Sequence, residues 1–325
     1  MKSFAFATLA AAVTALNNTE FEYMQYVAKF NKQANSVDEF AARLGNFASN
    51  EAYIVETNAQ NNTWTVGHNQ FSDWSYAEYK AILGYARGEM ETKNIKIFEE
   101  TNEETVNWVT KGAVTAVKDQ GQCGSCWAFS STGSIEGAHQ IATGELLSFS
   151  EQQLVDCAGL RYGNLGCNGG MQNRAFKYLE SHNAELESVY PYTSGVSKSA
   201  GSCAFDKAST TAVDVSAYTN VTKNNPEQMK AGLNLQPLAV SIEADKSVFQ
   251  TYKSGVLNST ECGTKIDHAV LAVGYGTDAD SGLDYWLVKN SWATVWGDQG
   301  YIKLAIVDGE GICGVQTGPL YPTSN

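Results

Sequence analysis

The sequence predicts an α+β fold with a helical half and a β half. Between about 112 and 211, apolar residues recur at helical spacing in the stretches 125–143, 150–157 and 170–181. From about 212 to 318, short β-rich runs are separated by glycine-bearing turns, which is typical of antiparallel strands. We expect these strands to form an antiparallel β-barrel, with a binding cleft between the two halves.

The β half is predicted from runs rich in β-branched and aromatic residues. These runs lie at 239–242, 269–273, 285–288 and 301–304. Each has the length of a strand and is followed by a glycine or polar turn, so neighbouring runs can pair as hairpins.

Composition limits the classes of function. The chain has 325 residues, of which 43% are hydrophobic, enough for two compact cores. Its formal net charge of −13 argues against nucleic acid and anionic membranes as partners. No apolar run is long enough to cross a bilayer, so no membrane span is expected.

The first residues predict a secretory signal peptide. Lys2 precedes an apolar run at 4–13, and small residues lead to Ala15, so we predict a signal at 1–15. Secretion leaves the lysosome, a digestive vacuole and release outside the cell all open. Glycosylation sequons occur at Asn17, Asn61, Asn220 and Asn258.

The turn and helix around Cys126 are the strongest chemical signal. Ser125 can cap a helix that begins at Cys126 and ends near Gly144. A helix N-terminus favours an anion, so it should lower the pKa of this thiol and produce a nucleophile. Cys123 and Cys126 could instead be a redox dithiol or half of a zinc site. No βαβ pattern and no second ligand cluster support those alternatives, so no metal or cofactor is expected.

Three motifs resemble those of papain-like cysteine peptidases, closest to the cathepsin L branch. The first is Cys123-Gly-Ser-Cys-Trp127. The second is a helical stripe that matches the ERFNIN pattern at Glu39, Arg43, Phe47, Asn50, Ile54 and Asn58. The third is Gly67-His-Asn-Gln-Phe-Ser-Asp73, which matches G-x-N-x-F-x-D. The resemblance implies a papain-like fold, a helical inhibitory prodomain at 16–101 and a mature peptidase at 102–325.

Of the four histidines, His268 is the one that we expect to act as a base. His68 lies in the predicted prodomain. His139 is 13 residues beyond Cys126 on the same predicted helix, about 20 Å away at 1.5 Å per residue. His182 ends a helix in the same half and has no orienting partner nearby in the sequence.

A hairpin argument predicts the partner of His268. If 269–275 and 285–290 pair symmetrically, Asn290 lies opposite His268. Its amide oxygen could then accept from one imidazole nitrogen and turn the other nitrogen toward Cys126. The alternative is that Asn290 is only a turn residue at a strand end.

The resemblance also implies roles for these residues and for the cysteines. Cys126 would be the nucleophile, His268 the general base and Asn290 its orienting residue. The Gln120 amide would stabilise the oxyanion together with the Cys126 N–H. An odd count of seven cysteines fits one reactive thiol, although the other six alone allow 15 pairings. The pairs implied are Cys123–Cys167, Cys157–Cys203 and Cys262–Cys313.

Substrate recognition follows from the same resemblance. The matching positions are Gly169, Gly170, Met171, Gln172, Ala244, Ala269, Trp292 and Gly318. An uncharged pocket with small residues implies a bulky hydrophobic P2 side chain, and an open cleft implies an endopeptidase. The implied partners of this monomer are protein and peptide substrates, its own prodomain and cystatin-type inhibitors. The rival hypothesis is an inactive homologue that serves as a binding or inhibitor protein.

Overall fold

The computed structural model describes residues 18–86, 88, 94–205 and 213–324, so the predicted signal peptide and Asn17 lie outside it. The helices are α1 (Asn18–Lys29), α2 (Val37–Asn58), α3 (Tyr76–Ala81), α4 (Cys126–Thr143), α5 (Glu151–Cys157), α6 (Gln172–His182), α7 (Ser194–Ser197), α8 (Pro226–Leu233) and α9 (Ser247–Gln250). The strands are β1 (Trp64–Val66), β2 (Ile95–Lys96), β3 (Val106–Asn107), β4 (Val215–Val221), β5 (Leu238–Ile242), β6 (Tyr252–Leu257), β7 (His268–Thr277), β8 (Asp284–Lys289), β9 (Tyr301–Ala305) and β10 (Leu320–Ser324).

The predicted prodomain begins with two helices around a small aromatic core. Tyr23 and Tyr26 of α1 pack against Phe47 of α2. The polar side of the α2 stripe binds the backbone that follows it, because Asn50 donates to Ser72 O at 2.9 Å. Asn58 likewise donates to Val66 O at 2.8 Å. The stripe therefore holds the chain that leads from α2 toward the cleft.

The helices predicted in the first half are confirmed to within two residues at their ends. The helix α4 begins at Cys126, and Gly144 ends it with a left-handed φ of 81°. The helix α5 begins after Ser150, whose hydroxyl accepts from Gln153 N and so caps it. The predicted α+β class is confirmed.

The β half is not a closed barrel. Its strands form one sheet in the order β1-β6-β9-β8-β7-β5-β10-β4-β2, with β3 paired to β7, and no pairing of described residues joins the two ends. The sheet is also mixed, since β6–β9 and β2–β4 are parallel. Alternation and turns predict strands, but they do not predict whether the last strand pairs with the first. Here strands from the predicted prodomain, β1 and β2, occupy the two sheet edges instead.

Two hydrophobic cores lie on either side of the cleft. One packs the helical half around Trp127, Phe149 and Phe176, and the other fills the β half around Trp286 and Trp296. The β core also includes residues of the predicted prodomain: Phe71, Tyr79 and Ile82. The prodomain is therefore docked through buried apolar contacts, which are the main source of binding free energy between folded units.

Candidate active site

The one unpaired cysteine among the described residues is Cys126, at the first position of α4. Disulfides join Cys123 to Cys167, Cys157 to Cys203 and Cys262 to Cys313. These are the pairs that the resemblance implies. The first of them connects the turn before Cys126 to the turn Gly166–Asn168, which precedes Gly169 and Gly170. The disulfide thus ties the nucleophile candidate to the turn that leads to the predicted substrate-binding glycines.

Burial controls the protonation of Cys126 and His268. It raises the pKa of the Cys126 thiol to about 12, although backbone N–H groups of Ala269, Gly84 and Trp127 lower that pKa. Burial also lowers the pKa of His268 to about 4, against a hydrogen bond that raises it. Both groups are therefore neutral at pH 7 in this closed form. The depressed thiol pKa that the helix start predicts does not hold here, because the sulfur is shielded from water.

The imidazole of His268 is held in one tautomer. Its Nε2 lies 2.8 Å from Asn290 Oδ1, and that oxygen also accepts from Ser291 N at 2.8 Å. Because the oxygen can only accept, the imidazole hydrogen is on Nε2 and Nδ1 carries a lone pair. Nδ1 is buried and has no hydrogen-bond partner in the described part of the chain. The Trp292 indole stacks on the ring at 4.6 Å and covers the bond from water.

The contact between His268 and Asn290 is diagonal across the hairpin. In the β7–β8 hairpin, Ala272 pairs with Val288, which differs from the predicted register by two residues. After an irregularity between Ala272 and Gly274, the difference becomes three residues. Asn290 is therefore level with Val270 rather than with His268. Side chains at 268 and 270 share one face of a strand, so a diagonal reach still brings the amide to the imidazole.

The Gln120 side chain is buried and fully hydrogen-bonded. Its Oε1 accepts from Ser291 Oγ at 2.8 Å and from Trp292 Nε1 at 3.1 Å, which fixes the orientation of the amide. Its Nε2 therefore points the other way and donates to Cys123 O and Ile82 O, both at 2.8 Å. Ile82 belongs to the predicted prodomain, so a carbonyl already occupies the donor that the resemblance assigns to the oxyanion.

Residues 83–86 of the predicted prodomain cross the cleft. Gly84 O accepts from Gly170 N at 3.0 Å, and Ala86 N donates to Gly170 O at 2.9 Å. A β-carbon on Gly170 would lie 2.5 Å from the Trp127 ring, so only glycine can pack against that indole here. The backbone N–H of Gly84 faces the Cys126 sulfur. The segment therefore occupies the cleft beside the sulfur.

The structure brings some of the predicted substrate-binding residues together and separates another. Met171, Gln172 and Gly318 line one cavity with Tyr85 of the crossing segment. Ala269 lies beside Cys126, to which its N–H donates. Trp292 covers His268, as described above. Ala244 instead lies in the β core, where its N binds Asp267 Oδ1 and its O binds Tyr79 Oη.

Ser241 hydrogen-bonds two residues that line this cavity and was missed by the sequence reasoning. Its hydroxyl lies 3.2 Å from Gln172 Nε2 and hydrogen-bonds Tyr85. It is paired with Ala269 across the β5–β7 ladder. That pairing was the available signal, because the predicted runs 239–242 and 269–273 only had to be placed side by side. Gln172 also donates to Val240 O at 3.0 Å, so this wall is more polar than expected.

Ala293 occupies a position where the resembled family usually has glycine. Its φ is 56°, in the left-handed region, while its N donates to Lys118 O at 3.0 Å. A β-carbon in that region costs roughly 1–2 kcal/mol. This strain explains the glycine of the family motif, and Ala293 removes no polar group from the site.

Neither a membrane-spanning helix nor a metal-binding cluster occurs among the described residues. No helix there combines the length and apolar character needed to cross a membrane. No group of three or more histidine, cysteine, aspartate or glutamate side chains there could hold a metal ion.

Gly84→Val is expected to expose Cys126 in the uncut chain. A β-carbon on Gly84 would lie 1.7 Å from Gly124 O and 2.2 Å from Gly124 C, so the crossing segment must leave its path. Overpacking of this kind costs roughly 1–3 kcal/mol or more, so alkylation of Cys126 by iodoacetamide at pH 7 should become at least about tenfold faster. The rate is measured by mass spectrometry on the uncut chain.

Gly45→Ala provides the matched control for that experiment. Gly45 also lies in the predicted prodomain, within α2, and a β-carbon there meets nothing within 4 Å. Its variant should be alkylated at the rate of the unmodified chain. Equal rates for both variants would show that residues 83–86 do not shield the thiol.

Known protein families match both parts of the chain. Residues 102–323 match the family described as papain family cysteine protease. Residues 23–79 match the cathepsin propeptide inhibitor domain.

Relatives of similar length and structure are also found. Digestive cysteine proteinase 1 of Homarus americanus is 41% identical over 332 residues, covering 99% of this chain and 100% of its own. Cathepsin L of Sarcophaga peregrina is 40% identical, covering 98% of this chain and 97% of its own. The solved structure of digestive procathepsin L 3 from Tenebrio molitor larval midgut has a TM-score of 0.83 and 33% identity, covering 94% of this chain and 99% of its own.

Proposed function

The chain belongs to the papain family of cysteine proteases and carries a cathepsin propeptide inhibitor domain, so it is a protease zymogen, and we propose that Cys126 and His268 hydrolyse internal peptide bonds once the propeptide leaves the cleft. One observation supports these roles most strongly. A free thiol at a helix start receives the N–H of Ala269, the neighbour of an imidazole whose Nδ1 has no partner among the described residues. A nucleophile and a base need this proximity.

Opening the cleft makes the Cys126 thiol and the His268 imidazole reactive. Water then reaches both, and the burial that keeps them neutral is removed. His268 Nδ1 accepts the thiol proton and leaves a thiolate at the start of α4, where backbone N–H groups and the helix dipole favour an anion. Asn290 keeps the Nε2–H bonded, so Nδ1 is the nitrogen that takes the proton. Departure of Ile82 frees the Gln120 amide.

Hydrolysis then proceeds through a thioester. The thiolate adds to the substrate carbonyl carbon, and the carbonyl electron pair moves to the oxygen, which accepts hydrogen bonds from Gln120 Nε2 and Cys126 N–H. Collapse breaks the C–N bond, and His268 gives its proton to the leaving amine. Water attacks the thioester carbon while His268 accepts a proton from that water. Collapse of the second tetrahedral intermediate breaks the C–S bond and releases the carboxylic acid and the Cys126 thiolate.

The proposed setting is the secretory pathway. Three disulfides indicate an oxidising compartment. The relatives named digestive favour a digestive vacuole, a lysosome or release outside the cell. There we propose a monomer that activates itself in acid, acts on proteins and peptides, and is a target for cystatin-type inhibitors.

The mature enzyme is expected to cleave peptides with Leu or Phe at P2 at least about tenfold faster than peptides with Arg. The cavity of Met171, Gln172 and Gly318 has no charged residue in its lining, and Arg174 lies close enough to influence the Tyr85 phenol within it. A guanidinium there lacks a partner and is repelled, whereas burying leucine contributes roughly 1.5–3 kcal/mol. The comparison of kcat/KM uses peptides blocked at both ends, so only internal cleavage is detected.

The same assay tests the function itself. Prior treatment with iodoacetamide should stop hydrolysis of every peptide. A processed protein that cleaves none of them would favour the inactive homologue instead. A preference for Arg at P2 with normal turnover would contradict only the assignment of the pocket.

A further inference from the structure

The loop from Gln120 to Ser125 is anchored at both ends by one hydroxyl group. Tyr192 Oη lies 2.9 Å from the carbonyl oxygen of Gln120 and 2.7 Å from Ser125 Oγ. Gln120 supplies one proposed oxyanion donor, and Ser125 precedes Cys126, whose N–H is the other. Tyr192 is 72 residues from Gln120 in the chain, so this contact exists only in the folded protein.

The hydrogens in this bridge can be assigned. The Gln120 carbonyl only accepts, so the phenol hydrogen of Tyr192 is directed to it. Ser125 must then donate its own hydrogen to the phenol oxygen. This explains why Ser125 occupies the N-cap position of α4, with φ −105° and ψ 14°, but makes no side-chain capping bond. The serine serves the loop rather than the helix.

The phenol is itself held in place. Its ring meets Phe129 edge-on at 4.9 Å, and Phe129 lies one turn along α4 from Cys126. Burial raises the pKa of Tyr192, so the phenol stays protonated and remains a donor. The same segment also binds the loop through its backbone, because Gln122 N donates to Gly195 O at 2.9 Å.

We propose that Tyr192 is a positioning residue for the oxyanion donors. It spans the loop between the Gln120 backbone and Ser125 and so sets the separation of the Gln120 amide from the Cys126 N–H. It acts through Gln120 and Ser125 rather than on the substrate. The inference rests on the proposed function, in which these two donors stabilise an oxyanion that develops during attack on a carbonyl.

Tyr192→Phe tests this role, because it keeps the ring and removes both hydrogen bonds. We expect kcat for a blocked peptide to fall about tenfold while KM changes less than about twofold, since the lost contacts support the transition state. Alkylation of Cys126 by iodoacetamide forms no oxyanion, so its rate should stay within about twofold of the unmodified enzyme. All chains are expressed at full length and processed by added wild-type enzyme, which is then removed.

Tyr190→Phe is the matched control, since its hydroxyl donates to Asp156 Oδ2 at 2.8 Å and accepts from Ala204 N, outside the loop. It should retain wild-type kcat. A second variant, Ser125→Ala, removes one arm of the bridge, and its loss should not add to that of Tyr192→Phe.

Three results would overturn the inference. They are an unchanged kcat in Tyr192→Phe, an equal fall in hydrolysis and alkylation, and an equal loss in Tyr190→Phe. A wild-type enzyme that fails to hydrolyse the peptide would instead refute the proposed function, so the two failures are distinguishable.

Discussion

Cys126→Ala is expected to reduce peptide hydrolysis by the mature enzyme at least about a thousandfold, to the level that binding and oxyanion contacts alone provide. Without the sulfur no thioester forms, and the other cysteines of the described chain are all in disulfides. Alanine removes the sulfur that accepts from the Ala269 N–H, but it fits the buried position without strain, so the fold should persist. Activity is measured on variant zymogen that has been processed by tagged wild-type enzyme, followed by removal of that enzyme.

The control for this variant is its own structure and a second substitution. All three disulfides should remain on a mass map, and the thermal unfolding midpoint should shift by only a few degrees. Adding His268→Ala should cause no further loss, because nucleophile and base act as a unit. Turnover above about a thousandth of wild type would show that another group performs the attack.

The zymogen is expected to process itself at about pH 4–5 and to remain intact at neutral pH. His68 carries part of this dependence. Burial lowers its pKa, although Glu51, 2.8 Å from its Nε2, and Glu22 raise it, and Lys29 lowers it further. A histidine with a lowered pKa binds fewer protons in the folded propeptide than in the unfolded one. The folded form therefore loses stability as the pH falls below the ordinary value of about 6.5.

Carboxylates at the interface between the predicted prodomain and the β half affect stability at lower pH than His68 does. Burial by itself raises the pKa of Asp245, but the hydrogen bonds from Lys80, Lys246 and Tyr76 together lower it by more than burial raises it. The pKa of Asp245 therefore lies well below its ordinary value. Its contribution is present above about pH 4 and is lost as the pH falls through the lowered value. Lys80 is 42% exposed, so the pair contributes no more than about 1 kcal/mol. Burial raises the pKa of Asp267 to about 6. Protonation of this carboxyl as the pH falls therefore stabilises the folded form, which opposes the effect of Asp245.

The test follows the mass of the purified zymogen at about pH 4.5 and about pH 7, which lie below and above the ordinary histidine pKa of about 6.5. Loss of roughly residues 16–101 is expected in acid only, and Cys126→Ala should block it. His68→Phe keeps the ring on Phe47, 4.2 Å away, and should move processing to lower pH. His182→Phe is the matched control, because His182 stacks on Tyr178 in the helical half in the same way, at 4.3 Å. Equally fast processing at neutral pH would contradict the mechanism.

How far the site could be predicted depends on the distance over which each contact acts. The end of α4 follows from the left-handed cap at Gly144, and its start at Cys126 was predicted correctly although Ser125 makes no side-chain capping bond. The contact of His268 with Asn290 was predicted, but from a register that is wrong by two residues. An even shift kept both side chains on one face of the hairpin, so the pair survived the error. The substrate-binding position of Ala244 was implied by the resemblance alone, without an argument from strand register, and the structure places this residue in the β core.

By itself the sequence predicted which groups react. Helix periodicity, caps and an odd number of cysteines single out Cys126, and an apolar run at 269–273 places His268 at the head of a buried strand. These are local properties, since each depends on residues within a few positions of one another or on residue counts.

Only the tertiary structure decided the state of those groups. The raised thiol pKa and the occupied Gln120 amide depend on a segment that lies far from the site in the chain, since Ile82 and Gln120 are 38 positions apart. Desolvation is the physical reason. Whether water reaches a thiol or an imidazole is decided by everything packed around it, and no local pattern carries that information.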